Sequence, residues 1–240
     1  VEELSVVVPV CNEAENVLPL IQEIRTQLNG LASYELIFVD DGSDDGTGER
    51  LASVDIPNLR VIRHRERCGQ STAIRTGVWA ARADWVVTLD GDGQNDPADI
   101  PVLLAAKGDA GDEPLLVTGY RRKRRDSLMK RISSRVANAV RGRLLGDRTP
   151  DTGCGLKLFQ RDAFLALPYF DHMHRFLPAL FLRAGGRVLS VDVRHRPRRH
   201  GRTKYGLHNR LWVGIIDLLG VMWLMARVRR PESEELERAR

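Results

Sequence analysis

The chain of 240 residues is 42% hydrophobic and 29% charged, with a formal net charge of +5 and a pI near 9.4. That composition excludes a disordered or low-complexity chain and leaves room for one large core, as a single domain or a domain with an appendage. Cys11, Cys68 and Cys154 are odd in number and fit no metal-ligand spacing. They read as reduced thiols of a cytosolic protein rather than as a disulfide or zinc framework.

Taken in order, Ser5 to Val10 is a valine-rich run expected to be a strand, and it starts so early that no signal segment is expected. It ends at Cys11-Asn12-Glu13-Ala14-Glu15-Asn16, where Asn12 or Glu13 can cap a helix reaching about Leu28. Neither G-x-G-x-x-G nor G-x-x-x-x-G-K-[ST] follows, so the dinucleotide fingerprint and the P-loop are both excluded. Tyr34 to Val39 is a second strand, ending in the acidic loop Asp40-Asp41-Gly42-Ser43-Asp44-Asp45-Gly46-Thr47 before a helix over Gly48 to Val54. Carboxylates at a strand end accept hydrogen bonds from a base or ribose. An ordinary turn is the alternative, since Asp-Gly pairs favour turns. Leu59 to Ile62 is a third strand, and Gly69-Gln70-Ser71-Thr72-Ala73 opens a helix to Ala81.

The fourth strand, Trp85 to Leu89, delivers Asp90-Gly91-Asp92-Gly93-Gln94-Asn95-Asp96-Pro97. Two carboxylates one residue apart on a glycine-rich turn are hard oxygen ligands. They suit Mg²⁺ or Mn²⁺ that also holds a substrate's phosphates. The spacing imitates an EF-hand, but Asn95 stands where its glycine would be and Pro101 where its closing Glu would be, so that coordination set cannot close. A polar turn capping a helix near Pro97 is the plainer alternative. Leu115 to Thr118 is the fifth strand, and the alternation of strands and helices argues for an α/β fold built on a parallel sheet.

Charge is unevenly placed. From Arg121 to Arg143, Lys and Arg dominate and Asp126 is the single acid. Within it, Ser127 to Leu145 reads as a helix with Leu128, Ile132, Val136, Val140 and Leu144 on one stripe, and with Lys130, Arg131, Arg135 and Arg141 elsewhere. Thr149-Pro150-Asp151-Thr152-Gly153-Cys154-Gly155 forms another glycine-rich loop before the strand Leu156 to Phe159. Arg187 to Val193 is a late strand that delivers a second basic cluster, Arg194, Arg196, Arg198, Arg199, Arg202 and Lys204. Such clusters meet polyanions: nucleic acid, phosphorylated substrates or anionic lipid. The stretch Leu211 to Ala226 is apolar except for Asp217 and falls short of the roughly 20 residues that span a bilayer. It reads as an interfacial helix anchored by Trp212 and Trp223, with a buried helix or homodimer contact as the alternative.

These loops together resemble the family-2 glycosyltransferases of GT-A fold, a Rossmann-like, mostly parallel sheet flanked by helices. The carrying motifs are Val8-Pro9-Val10-Cys11-Asn12-Glu13, the Asp40–Thr47 loop, Asp90-Gly91-Asp92-Gly93-Gln94, Gly153-Cys154-Gly155-Leu156-Lys157, His195-Arg196-Pro197-Arg198 and Gly201-Arg202-Thr203-Lys204-Tyr205-Gly206. Within the family they are most similar to the polyprenyl-phosphate hexose synthases, typified by dolichyl-phosphate mannose synthase. The resemblance implies a glycosyltransferase domain over 1–206, an apolar helix over 207–230 and a polar tail over 231–240. It implies that Pro9, Val10, Asn12, Glu13, Asp40, Ser43, Gln70 and Asp90 border the nucleotide sugar, and that Asp92 and Gln94 hold the metal. Arg121, Arg131 and Ser134 fall where the acceptor phosphate binds, and Arg202 and Lys204 where a loop closes on the diphosphate. Two departures stand out: the transmembrane anchors common among bacterial and archaeal relatives are not expected in this sequence, and Gln70 replaces a lysine found in many relatives.

The reaction implied is inverting transfer of a hexose from a GDP- or UDP-sugar to a polyprenyl phosphate, at the cytoplasmic face of an anionic membrane. A phosphate acceptor is already anionic at neutral pH and needs positioning rather than a general base. Asp92, Arg202 and Lys204 then act catalytically on the departing diphosphate. Transfer to a sugar hydroxyl is the alternative, and Asp151 is the base nominated for it. A non-enzymatic basic module that binds nucleic acid or membrane would leave three acidic loops at strand ends unexplained, so nucleic acid is not expected as a partner.

Overall fold

The computed structural model describes residues 3–30, 33–111, 113–122, 141–198 and 207–229, with the backbone alone for 207–212. The centre is β1 (Leu4–Val10), buried along its whole length. The two-residue period of a strand splits its side chains between two cores. Val6, Val8 and Val10 join Leu36 and Phe38 of β2 (Tyr34–Asp40) under α1 (Val17–Leu28), which offers Val17, Leu20, Ile21, Ile24 and Leu28 as one helical stripe. Val7 faces the other core with Ile37, Val39 and α3 (Gln70–Ala80). A Cβ on Gly77 would run into Val7 and Val39, so this helix lies close on the sheet.

The sheet has seven strands in the order β3-β2-β1-β4-β6-β5-β7, completed by β3 (Leu59–Arg63), β4 (Trp85–Thr88), β5 (Leu115–Tyr120), β6 (Lys157–Gln160) and β7 (Arg187–Asp192). All neighbours run parallel except β6, which is antiparallel to both β4 and β5. The reversed strand matters for function. It brings the loop preceding β6 to the same sheet edge as the loops following β1, β2, β4, β5 and β7. Ligands bind at that edge in α/β sheets.

Shorter helices α2 (Thr47–Ala52), α4 (Ile100–Lys107), α5 (Arg161–Leu165) and α6 (Leu177–Arg183) complete the layers. The last helix, α7 (Leu207–Ala226), puts Val221 into the second core. Asp217, the one acid in its apolar run, pairs with His172 Nδ1 at 3.0 Å, and Arg183 Nε donates to the Leu224 carbonyl at 2.9 Å. No helix among the described residues is long and apolar enough to cross a membrane.

Three local expectations are corrected. The first helix starts at Val17, because Asn12 takes a left-handed backbone (φ 54°) and its side chain bonds Asp44 instead of capping. Asp40 ends β2 in register with Val10 and is not a loop residue. Arg141, expected off the packed stripe of its helix, is buried all the same, because Asp147, Thr152 and the Thr149 carbonyl enclose its guanidinium. The helix expected over Ser127–Leu145 is described only at 141–145.

Candidate active site

The loops at this edge enclose a cleft of about 340 Å³, within the size range of small-molecule sites. One wall is the end of β1. Pro9, Val10, Cys11 and Glu13 line it, Asp41 stands beside them with its N–H on the Val10 carbonyl at 2.8 Å, and Arg67 lines the cleft too. Asn12, Asp40 and Ser43 stand behind that wall and brace it. Asn12 N–H donates to Ser43 Oγ at 2.9 Å, Ser43 N–H donates to Asp40 Oδ1 at 3.0 Å, and Arg63 Nε reaches Asp40 Oδ2 at 3.3 Å. Asp41, one residue further, faces the cleft. Its carboxylate accepts the Cys68 and Gly69 backbone N–H groups, both at 2.8 Å, and pairs with His64 Nδ1 at 2.8 Å.

Asp90 and Asp92 enter the cleft from the loop after β4. A Cβ on Gly155 would overlap the Asp90 carboxylate, so glycine at that position is what lets the two loops close on each other. Gln70 Nε2 donates to Asp90 Oδ1 at 2.8 Å. Burial, and secondly the charge on Asp92, push the Asp90 pKa up to about 6, with Lys157, Arg121 and the Gln70 bond acting the other way. The charge on Asp92 thus disfavours ionised Asp90, and a divalent cation beside the two would relieve that. Asp92 Oδ2 already meets a cation, Arg198 Nη2, at 2.7 Å, while its Oδ1 accepts the Gln94 N–H at 3.0 Å. Gln94 lies beside the cleft, its amide nitrogen 3.5 Å from the Arg196 carbonyl, which leaves its amide oxygen as a further hard donor. The donor set fits Mg²⁺ or Mn²⁺.

The facing loop supplies Thr152, Gly153, Cys154 and Gly155. Behind it, Arg121 clasps Asp151 in a bidentate pair, Nε to Oδ2 at 2.7 Å and Nη2 to Oδ1 at 2.9 Å. Lys157 is buried in the cleft floor, donates to the Cys154 carbonyl, and has its pKa lowered by burial. His174 and Arg175 close the remaining end.

Among the described basic residues after β7, Arg194, Arg196 and Arg198 do not present a free cationic face. They step along the acidic loop in antiparallel register around a bridge between Asn95 and His195. Arg194 Nε meets Asp99 Oδ1 at 2.9 Å, Arg196 Nη2 meets Asp96 Oδ1 at 2.6 Å, and Arg198 meets Asp92. With no ligand bound, all three arginines are thus paired with acids of the chain itself, and Arg198 is the one that also lines the cleft. Arg131, Ser134, Arg202 and Lys204 lie outside the described residues.

Residues 5–167 match the family described as glycosyl transferase family 2. The chain belongs to that family. As a family-2 glycosyltransferase it is 36% identical over 236 residues to dodecaprenyl-phosphate galacturonate synthase of Rhizobium johnstonii, covering 95% of this chain and 69% of that protein. It is 34% identical over 208 residues to undecaprenyl-phosphate 4-deoxy-4-formamido-L-arabinose transferase of Aeromonas hydrophila, covering 85% and 63%. The chain therefore spans only part of the length of these curated relatives. Mannosyl-3-phosphoglycerate synthase from Rubrobacter xylanophilus shares the fold with a TM-score of 0.70 at 17% identity, covering 98% of this chain and 79% of that one. Glucosyl-3-phosphoglycerate synthase from Mycobacterium tuberculosis, in complex with Mn²⁺, UDP-glucose and glycerol 3-phosphate, gives 0.65 at 23% identity, covering 97% and 82%. The family-2 fold is GT-A.

Several cleft residues carry little sequence signal. Lys157 had one: a lysine inside an apolar strand needs a reason to be buried. Asp41 and Arg198 lay inside motifs that the sequence singled out without being marked as cleft residues, and His174 and Arg175 had no signal, since they reach the cleft through contacts distant in the chain.

Proposed function

We propose that this family-2 glycosyltransferase moves a hexose from a nucleoside diphosphate sugar to a polyprenyl phosphate, with inversion. The observation that carries the choice of acceptor is the state of Asp151. Both its oxygens accept from Arg121, and a carboxylate held in a bidentate ion pair is a poor general base. An acceptor that is already ionised needs no such base. The names of the relatives, a dodecaprenyl-phosphate and an undecaprenyl-phosphate transferase, support the same acceptor.

In this reading the β1 wall with Asp41 and Arg67 takes the base and ribose, braced by Asn12, Asp40 and Ser43. Asp92 and Gln94, beside Asp90, hold the divalent ion, which supplies Lewis-acid stabilisation of charge on the leaving diphosphate. Mn²⁺ and Mg²⁺ complexes of a protein of this fold support such an ion. Arg198, released from Asp92, turns to the diphosphate, and Arg202 and Lys204 follow it in the chain. Arg121 orders the acceptor loop through Asp151, and Arg131 and Ser134 contribute to the acceptor phosphate. The exposed face of α7 rests on an anionic membrane, on its cytoplasmic side.

The test is a screen of UDP- and GDP-sugars with undecaprenyl phosphate and Mn²⁺, following acid-labile, lipid-extractable sugar. Asp92→Asn is expected to cut turnover by at least about 100-fold, given the several kcal/mol a catalytic metal supplies. Asp151→Asn is expected to cost about tenfold or less. A loss of about 10²–10⁴ there, the range of a lost general base, together with transfer only to saccharides, would install the hydroxyl acceptor instead.

A further inference from the structure

One end of the cleft is assigned no task by the reaction as described. It lies where the first turn of α3 meets the turn Met173–Arg175. Ser71 Oγ accepts the His174 backbone N–H at 3.3 Å and lies 2.7 Å from His174 Nδ1. The hydroxyl hydrogen has no other acceptor among the described residues, so it goes to Nδ1. That selects the tautomer with hydrogen on Nε2. Burial, then the charges of Arg175, Lys157 and His172, hold the His174 pKa well below its ordinary value, so the ring stays neutral. A neutral imidazole with Nδ1 occupied offers the cleft a donor, Nε2–H.

Arg175 lines the same end, half-buried. Its guanidinium meets no carboxylate or carbonyl among the described residues, whereas Arg121, Arg194, Arg196 and Arg198 all have acid partners. Partial burial of an unpaired cation is unfavourable, and a cleft that keeps one gains when an anion arrives. We propose that His174 and Arg175 form an oxyanion subsite that binds a carboxylate or phosphate oxygen carried by the substrate. The subsite rests on the reading of this cleft as the nucleotide-sugar pocket. Two sources supply the chemistry: a carboxylate on the donor sugar, making the donor a nucleoside diphosphate hexuronate, or the phosphate of the lipid acceptor.

Calorimetric binding in Mn²⁺ buffer tests this without turnover, on the wild type, Arg175→Gln and Arg175→Lys. The ligands are the nucleoside diphosphate that binds (uridine or guanosine), its hexose and hexuronate derivatives, and decyl phosphate. Arg175→Gln is expected to leave the diphosphate and the hexose derivative within about twofold. It should weaken the hexuronate or decyl phosphate about tenfold or more, as loss of a charge-assisted hydrogen bond does. The ligand that responds names the source. Arg175→Lys should recover part of the loss, and His174→Gln should weaken the same ligand. The subsite is refuted if neither anion responds, if all ligands weaken together, or if neither anion binds the wild type. Absent sugar transfer alongside a selective Arg175 effect would instead overturn the reaction while sparing the subsite.

Discussion

The carboxyl of Asp90 is pushed up to about 6 by burial first and by Asp92 second, and that has a consequence for stability. With a folded pKa above the unfolded value of about 3.9, the folded chain binds more protons between pH 4 and 6. This group's contribution to stability is therefore present at low pH and lost as pH rises through that window. In EDTA at pH 7.5, Asp90→Asn is expected to be more stable than the wild type by about 1–2 kcal/mol, less than the full shift because the carboxyl opens onto solvent in the cleft. The gain should vanish at pH 4, and urea melts at the two pH values decide it. A destabilised Asn variant, or a gain independent of pH, would sink the argument. The neighbouring acid makes a second prediction. On the proposed metal role of Asp92, a divalent ion would compete with Arg198 for Asp92 Oδ2, the oxygen that the guanidinium holds. Arg198→Gln should therefore tighten Mn²⁺ binding several-fold in the absence of nucleotide, read by calorimetry, while weakening binding of the nucleoside diphosphate. Unchanged or weaker Mn²⁺ affinity would show that the guanidinium does not guard the site.

At the scale of elements, the segment after β7 is held by the acidic loop after β4. Asp99 accepts both the Arg194 backbone N–H, at 2.6 Å, and its Nε. Asp99→Ala removes the two bonds at once and leaves Arg194 only its longer contact with Asp96 Oδ2, at 3.4 Å, a local cost of about 1–3 kcal/mol. Amide exchange over residues 194–198 should quicken roughly 10- to 100-fold while β1 and β2 keep their protection. Exchange unchanged at 194–198 would mean that the acids do not hold this segment. The same elements show how far sequence reaches. The strands were legible because apolar runs of four to seven residues end in Gly, Asp and Pro, and the carboxylate loops follow from the strand ends. The identity of the acid facing the cleft was not legible. Asp40 and Asp41 differ only in that β2 pairs with β1 as far as Asp40, a property of register. The pairing within the basic clusters was not legible for a similar reason. Composition counts cations but cannot see that Arg194, Arg196 and Arg198 find acids about a hundred positions away, or that Arg121 finds Asp151. Asp217 looked like an interruption of an apolar helix until His172 supplied its partner.

For the whole molecule, α7 poses the remaining question, because it is apolar on two faces. One face packs: Val221 is buried and Leu218, Met222 and Met225 lie against the second core. The other does not, with Ile216, Leu219 and Trp223 about 60% exposed along one stripe. Arg227 stands over the Trp223 ring at 5.9 Å and Arg229 follows. An exposed apolar stripe, an interfacial tryptophan and flanking arginines suit an anionic bilayer surface, where apolar burial and charge attraction add. Flotation with vesicles of phosphatidylcholine and phosphatidylglycerol should recover the wild type. The triple variant Ile216→Ser, Leu219→Ser, Trp223→Ser should lose at least about tenfold in vesicle affinity, since three side chains each worth about 1.5–3 kcal/mol when buried are removed. Its transfer to a detergent-solubilised acceptor should remain, which separates membrane docking from chemistry. Vesicle binding that survives the triple variant would place the contact elsewhere. A wild-type dimer that the variant dissolves would assign the stripe to a second copy of the chain.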